Sequence, residues 1–229
     1  MPKVAFDTAT FDPQAIAADA VALAELHGGP GHEQVRIDWL QRRLEHAPGS
    51  RSVDAVGNLV WTFGPAPYRL AVLVHVDDVF DAATARGITQ RDGWLCGPGI
   101  GDNAIAVATT VAVAERALAP QAGSWPVAVV FTVGEEGLGG LRGLTHPLVA
   151  AVLHARRSVG LPEATGDGST DANAALAVGI PAVALGCCEG EDMHAPTERI
   201  RADSIGTGAE QLRAVLHEIG ELTPNAARE

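Results

Sequence analysis

Two continuous apolar runs stand out against an otherwise mixed pattern of hydrophobic and polar positions. Leu70 to Val76 (LAVLVHV) reads as a strand buried on both faces, and the run closes in His75, Val76, Asp77 and Asp78, where such a strand leaves its sheet. Val127 to Val133 (VAVVFTV) repeats the pattern and closes in Gly134, Glu135 and Glu136. Between and around these runs the period changes to that of helices. Asp12 as N-cap, Pro13 at the first helical position, inward Ile16, Ala20 and Leu23, and Gly28 as the stop predict a first helix. A second is expected from about Gly31 to His46, with Val35, Trp39, Leu40 and Leu44 as its apolar stripe. Further helices are predicted over Asn103 to Leu118, Leu148 to Ser158 and Asp171 to Val178. A final amphipathic one carries Leu212, Val215, Leu216 and Ile219 on one side. Short strands are expected around Gly57-Asn58, in a hairpin turning near Asp92-Gly93, and from Ala182 to Leu185. Strands interleaved with helices make this an α/β chain, and open α/β sheets place their chemistry at the carboxyl ends of strands.

Composition narrows the classes. The 229 residues, 47% hydrophobic and 19% charged, suffice for one domain with a sizeable core. With 16 basic against 28 acidic residues the formal charge is -12, which repels nucleic-acid phosphates and anionic membranes. The opening MPKVAFDTAT is too short and polar for a secretory signal, and no run reaches membrane-spanning length, so a cytoplasmic location is expected. Three cysteines, with Cys187 and Cys188 adjacent, suit a reducing compartment. They lack zinc-site spacing and read as small buried apolar residues.

Polar residues at the ends of the predicted elements supply the candidate chemistry. His75 and Asp77, two apart on an extended backbone, point the same way, so a carboxylate can reach the far nitrogen of an imidazole held as a metal ligand. The same spacing also makes a plain surface hydrogen bond. Asp102, delivered by the glycine-rich CGPGIGDN to a helix start, is either a cap or a ligand. Glu135 and Glu136 are either solvated charge or, if the two core strands are parallel neighbours, companions of His75 and Asp102 at one sheet edge. His194 lies in a later loop. His32 and Glu33 are ordinary polar residues of a first helical turn.

In this order, VLVHVDD, GPGIGDN, GEEGLGGLRG, GDGSTDANAALAVGIPAVALG and MHAPTERI resemble the co-catalytic zinc peptidases of the aminoacylase, peptidase T and glutamate carboxypeptidase family. GNL at Gly57 to Leu59 and GHE at Gly31 to Glu33 lend weaker support. The resemblance implies a three-layer α/β/α catalytic domain with a mixed, mostly parallel central sheet, occupying residues 1–229 as a single unit. It implies that His75 and Asp102 serve one zinc, and that a bridging Asp102 with Glu136 and His194 serves another, cobalt or manganese being acceptable substitutes. Imidazole and carboxylate are ligands that Zn²⁺ accepts. Asp77 would orient His75. Glu135 would be the general base, taking a proton from metal-activated water and delivering it to the leaving nitrogen of an amide in a small peptide or N-acyl amino acid. A cis peptide between Asp102 and Asn103 is also implied.

The sequence departs from that family in two respects. Its members insert a lid domain after the Glu-Glu loop, whereas here LRGL runs almost directly into THPLVAAVL, a junction near residues 143–147 that looks like the scar of a natural or engineered deletion. A further acidic ligand expected before the lid has no counterpart, because no Asp or Glu lies between Glu136 and Glu163. Asp171 is a stand-in by composition only, and His146 and His154 read as surface helix residues. Without a lid the chain is expected to be monomeric and unspecific. Two rival readings remain: a non-catalytic scaffold with an incomplete metal site, and a lidless aminopeptidase of the broader co-catalytic zinc class.

Overall fold

The computed structural model describes residues 11–29, 31–118, 125–135, 147–164 and 170–221. Six α-helices and eight strands occupy them: α1 (Pro13–Ala24), α2 (Gln34–Arg43), β1 (Ser50–Val53), β2 (Leu59–Phe63), β3 (Leu70–His75), β4 (Thr89–Arg91) and β5 (Trp94–Cys96) come first. α3 (Ile105–Val113), β6 (Val127–Thr132), α4 (Pro147–Ser158), α5 (Ala172–Ala177), β7 (Gly190–Glu191), β8 (Arg199–Arg201) and α6 (Ile205–Glu221) follow.

The main sheet has the order β1-β2-β6-β3. β1 and β2 form the hairpin expected around Gly57-Asn58, its turn tied by Asp54 Oδ1, which accepts from the N–H groups of Val56, Gly57 and Asn58. The two apolar runs are adjacent and parallel, with His75 opposite Thr132. The α/β class and the mixed sheet are as expected. The predominance of parallel pairing is not: among the described residues β1·β2 and β2·β6 are antiparallel and only β3·β6 is parallel. β3 and β6 follow one another in this sheet across the α3 crossover and run the same way, whereas the hairpin β1·β2 is antiparallel and β2 lies on the other side of β6 with its direction opposed. Ala182 to Leu185 does not pair as a strand.

One face of this sheet carries the core. Leu59, Trp61, Phe63, Val74, Val127, Val129 and Phe131 are buried there, and Val72 and Val129 meet Thr110 and Val113 of α3 and Leu212 and Leu216 of α6. Each such large side chain contributes about 1.5–3 kcal/mol through burial. α1 packs beside α3 and α6, and α4 packs on α6. α1 is capped as its sequence predicts, Asp12 Oδ1 accepting from Gln14 N at 2.9 Å, and it buries Ile16, Ala20 and Leu23. α3 follows a kinked turn at Ile100–Ala104, in which Asp102 and Asn103 are not helical, and continues into a wide turn at Ala114–Leu118, so the helix expected from Asn103 to Leu118 starts after Asn103. The opposite sheet face is more open, with Leu73 of β3 45% exposed. A second, small antiparallel sheet in the order β4-β5-β8-β7 contains the predicted hairpin, whose turn places Asp92 and Gly93 at positive φ.

The stripe expected on α2 is rotated. Val35 is 45% exposed, whereas Ile37, Leu40 and Leu44 are buried, and Arg36 is buried with them. Arg36 Nη1 donates to Val76 O at 2.6 Å, Nε and Nη2 donate to Leu26 O, and Nη2 also pairs with the buried Asp78. Asp78 in turn accepts two bonds from Arg86, at 2.8 and 3.0 Å. Burial pulls the Arg36 guanidinium below its usual range, with Asp78 opposing. Asp78 is held below the usual carboxylate range because the two arginines outweigh its own desolvation. Gly28 belongs to this cluster, since a Cβ there would lie 2.2 Å from Arg36 Nε. The network fixes the exit of β3 against the α1–α2 connection, and so positions the candidate site.

Candidate metal centre

His75 is the last residue of β3, and its ring is held from two sides. Nδ1 lies 3.2 Å from Asp77 O and 3.6 Å from Asp77 Oδ1, the carboxylate being fully buried. This leaves Nε2 facing Asp102 Oδ1 at 3.1 Å. Asp102 sits in the turn Ile100–Ala104, directly after Gly99 at φ 75°, and its peptide bond to Asn103 is cis. Asn103 Nδ2 donates back to His75 O at 3.3 Å. The glycine-rich loop thus brings a carboxylate to the end of the neighbouring strand. The other oxygen, Asp102 Oδ2, lies 2.7 Å from His194 Nε2. His194 comes from the loop between β7 and β8 and has positive φ, 66°.

Glu135 follows β6 by three residues and is buried, with Oε2 3.9 Å from His75 Nε2. Because β3 and β6 are parallel neighbours, their carboxyl ends coincide, which is what brings His75 and Glu135 together. Asn58 supports this end of the sheet, its Oδ1 accepting from Val133 N at 3.0 Å.

The electrostatics follow from three carboxylates around one imidazole. Desolvation lowers the pKa of His75, but Asp102, Asp77 and Glu135 outweigh it and push it up to about 10. Burial raises that of Asp102, yet His75 and His194 outweigh it and hold the group below the usual carboxylate range. The site therefore concentrates negative potential and attracts a cation.

Of the residues singled out in the sequence, His75, Asp77, Asp102, Glu135 and His194 are brought together. Glu136 and His146 lie outside the described residues, as does most of the junction at 143–147. Asp171 accepts the Thr132 hydroxyl at 2.6 Å, one strand over from His75. His154 is exposed and pairs with Glu218 at 3.0 Å, a surface helix residue as expected. Glu33 Oε1 accepts from Gly31 N, and His32 stacks on His27 at 4.7 Å. The cysteines are free and half-buried rather than buried as expected, and desolvation pushes the thiols of Cys187 and Cys188 up to about 12.

The sequence reading missed Glu198. It is fully buried, and its two oxygens accept from the backbone N–H groups of Gly101, Asp102 and His194. The signal available was its place in HAPTERI, four residues after His194.

The donor set suits zinc. Two imidazole nitrogens and a carboxylate are ligands of the kind zinc takes, and ligands at its usual bond lengths stand roughly 3.3 Å apart in a tetrahedron. The observed N···O separations of 2.7 and 3.1 Å are slightly tighter, so modest opening makes room for an ion. Among the described residues no group of three or more His, Cys, Asp and Glu side chains is placed to hold a metal ion as it stands, His75 and His194 lying in direct contact with the Asp102 carboxylate.

No protein-family model matches the chain, and no curated protein sequence matches it. Solved structures do. A tripeptidase from Staphylococcus aureus is similar at TM-score 0.77 and 14% identity, over 93% of this chain and 100% of that one. The aminopeptidase PepT from Bacillus cereus gives 0.75 and 13%, over 92% and 100%. An aminopeptidase from the archaeon Desulfurococcus kamchatkensis gives 0.68 and 12%, over 94% and 97%. These neighbours are peptidases, and the chain has their α/β fold.

Proposed function

We propose that the chain is a zinc-dependent peptidase or amidohydrolase that cleaves an amide bond in small peptides or N-acyl amino acids. The observation that carries this reading is the convergence of His75 Nε2 and His194 Nε2 on opposite oxygens of Asp102, with the Glu135 carboxylate beside them. The peptidase fold supports it. Asp102, His75 and His194 would hold the metal, with Glu136 as a further ligand. Zinc bound there supplies Lewis acidity toward an amide carbonyl and acidifies water.

The chain's own groups do the rest. Asp77 engages His75 Nδ1 and so keeps Nε2 turned inward. Glu135, buried at the carboxyl end of β6, takes the proton from the attacking water. The same carboxyl group then delivers that proton to the departing amine nitrogen, so no net charge is left on the protein.

A second reading is favoured by the acid-free interval between Glu136 and Glu163: a lidless scaffold whose metal site is incomplete. Under either reading we take the chain to be a single domain without the lid, and a monomer. Zinc per chain, measured by elemental analysis after dialysis, together with dipeptide and N-acetyl amino acid hydrolysis on the same sample, separates them. Bound zinc with turnover is the expected result. Absence of both overturns the hydrolase and leaves the scaffold. No described helix is long and apolar enough to cross a membrane.

A further inference from the structure

We propose that Glu198 is a positioning residue, which sets the distance between Asp102 and His194 by holding the backbones of both their loops. This rests on the reading of Asp102 and His194 as metal ligands. Glu198 Oε1 accepts from Gly101 N at 2.5 Å and from Asp102 N at 2.9 Å, while Oε2 accepts from His194 N at 3.3 Å. One carboxylate thus ties together segments that are 92 residues apart along the chain. Its side chain is fully buried, and its own segment is anchored by Gly97 N, which donates to Glu198 O at 2.8 Å. A carboxylate is suited to this task because it offers acceptor sites on both oxygens and no donor.

Gly101 completes the device. A Cβ at this residue would come within 3.1 Å of Glu198 Oε1 and 2.7 Å of the Met193 side chain, so a side chain here pushes against the group that holds the loop. The glycine before Asp102 and the glutamate after His194 therefore act as a matched pair. The hydrogen bonds of Glu198 run to backbone N–H groups of the two loops, so it acts on Asp102 and His194 through their backbone.

Glu198→Gln is the informative change, because it preserves volume and one acceptor oxygen but turns an N–H donor toward one of the backbone N–H groups. Zinc affinity is measured by competition with a chromophoric chelator. Amide hydrogen exchange at Gly101, Asp102 and His194 is followed on the metal-free protein, and the visible spectrum on the cobalt-loaded one. The expected result is roughly 10- to 100-fold weaker zinc binding, faster exchange at those amides and an altered cobalt spectrum, in a chain that still unfolds cooperatively. Zinc affinity equal to that of the unaltered chain overturns the positioning role while leaving the metal site in place. An unaltered chain that binds no zinc overturns both. Should E198Q not fold, Gly101→Ala, which keeps the glutamate, is put through the same titration, and unchanged affinity there overturns the proposal.

Discussion

His194 Nε2 lies 2.7 Å from Asp102 Oδ2, and this contact joins the loop between β7 and β8 to the turn that opens α3. With His75 on the other oxygen, Asp102 is shared by two imidazoles from distant parts of the chain. Removing His194 therefore removes a nitrogen donor without disturbing the sheet. His194→Ala should lose tightly held zinc on dialysis, while its side chain, 52% exposed, lets the chain keep its cooperative fold at a cost of about 1 kcal/mol. Elemental analysis and a urea titration read the two effects separately. Retained zinc stoichiometry would remove His194 from the ligand set.

Glu135 is close to His75 but is assigned to proton transfer. Glu135→Gln keeps its volume and removes its basicity, so hydrolysis should fall by roughly 10²- to 10⁴-fold while zinc content stays constant. Its buried place after β6 makes a gross rearrangement of the loop unnecessary to explain such a loss. Unchanged turnover of a dipeptide by the zinc-loaded variant would assign the base elsewhere.

The buried Arg36–Asp78–Arg86 network makes a prediction about the fold. Asp78→Ala strips the counter-charge from two guanidinium groups, one fully buried, and leaves them with backbone carbonyls and, for Arg86, the His27 ring nitrogen. Breaking a buried pair in this way costs about 3–5 kcal/mol. Urea denaturation at pH 7 should show that loss as a lower midpoint with little change in slope. A loss below about 1 kcal/mol would mean that the pair is worth no more than a surface one.

The two core strands were legible because β3 and β6 are continuous apolar runs, and the order of polar residues behind them gave most of the site. What escaped was charge that folds inward. Arg36 and Glu198 are polar letters at positions where a helix face or a loop defaults to solvent. Their burial depends on partners 42 and 97 residues away, which no local period encodes. The rotation of α2 has the same origin: burial of Arg36 turns Ile37 inward and leaves Val35, placed on the apolar stripe, 45% exposed. Strand direction was also hidden. A buried run looks alike in parallel and antiparallel pairing, so the antiparallel β2·β6 contact followed only from the assembled sheet.

The last prediction concerns protons at His75. In the metal-free chain its pKa stands at about 10, because Asp102, Asp77 and Glu135 together outweigh the desolvation that would lower it. A folded-state pKa above the unfolded value of about 6.5 means that the protonated ring stabilises the fold. That contribution is complete below about pH 6.5 and drains away as pH rises toward 10. The Tm of the metal-free protein should therefore fall between pH 7 and 10. Zinc takes neutral imidazole, so binding must expel this proton. Calorimetry near pH 8 in two buffers of different ionisation enthalpy should then report about one proton released per zinc bound, and the zinc-loaded protein should lose the pH dependence that His75 imposes. Zinc binding with no proton release would mean that the ring is already neutral, and that the three carboxylates do not hold His75 charged as their distances imply.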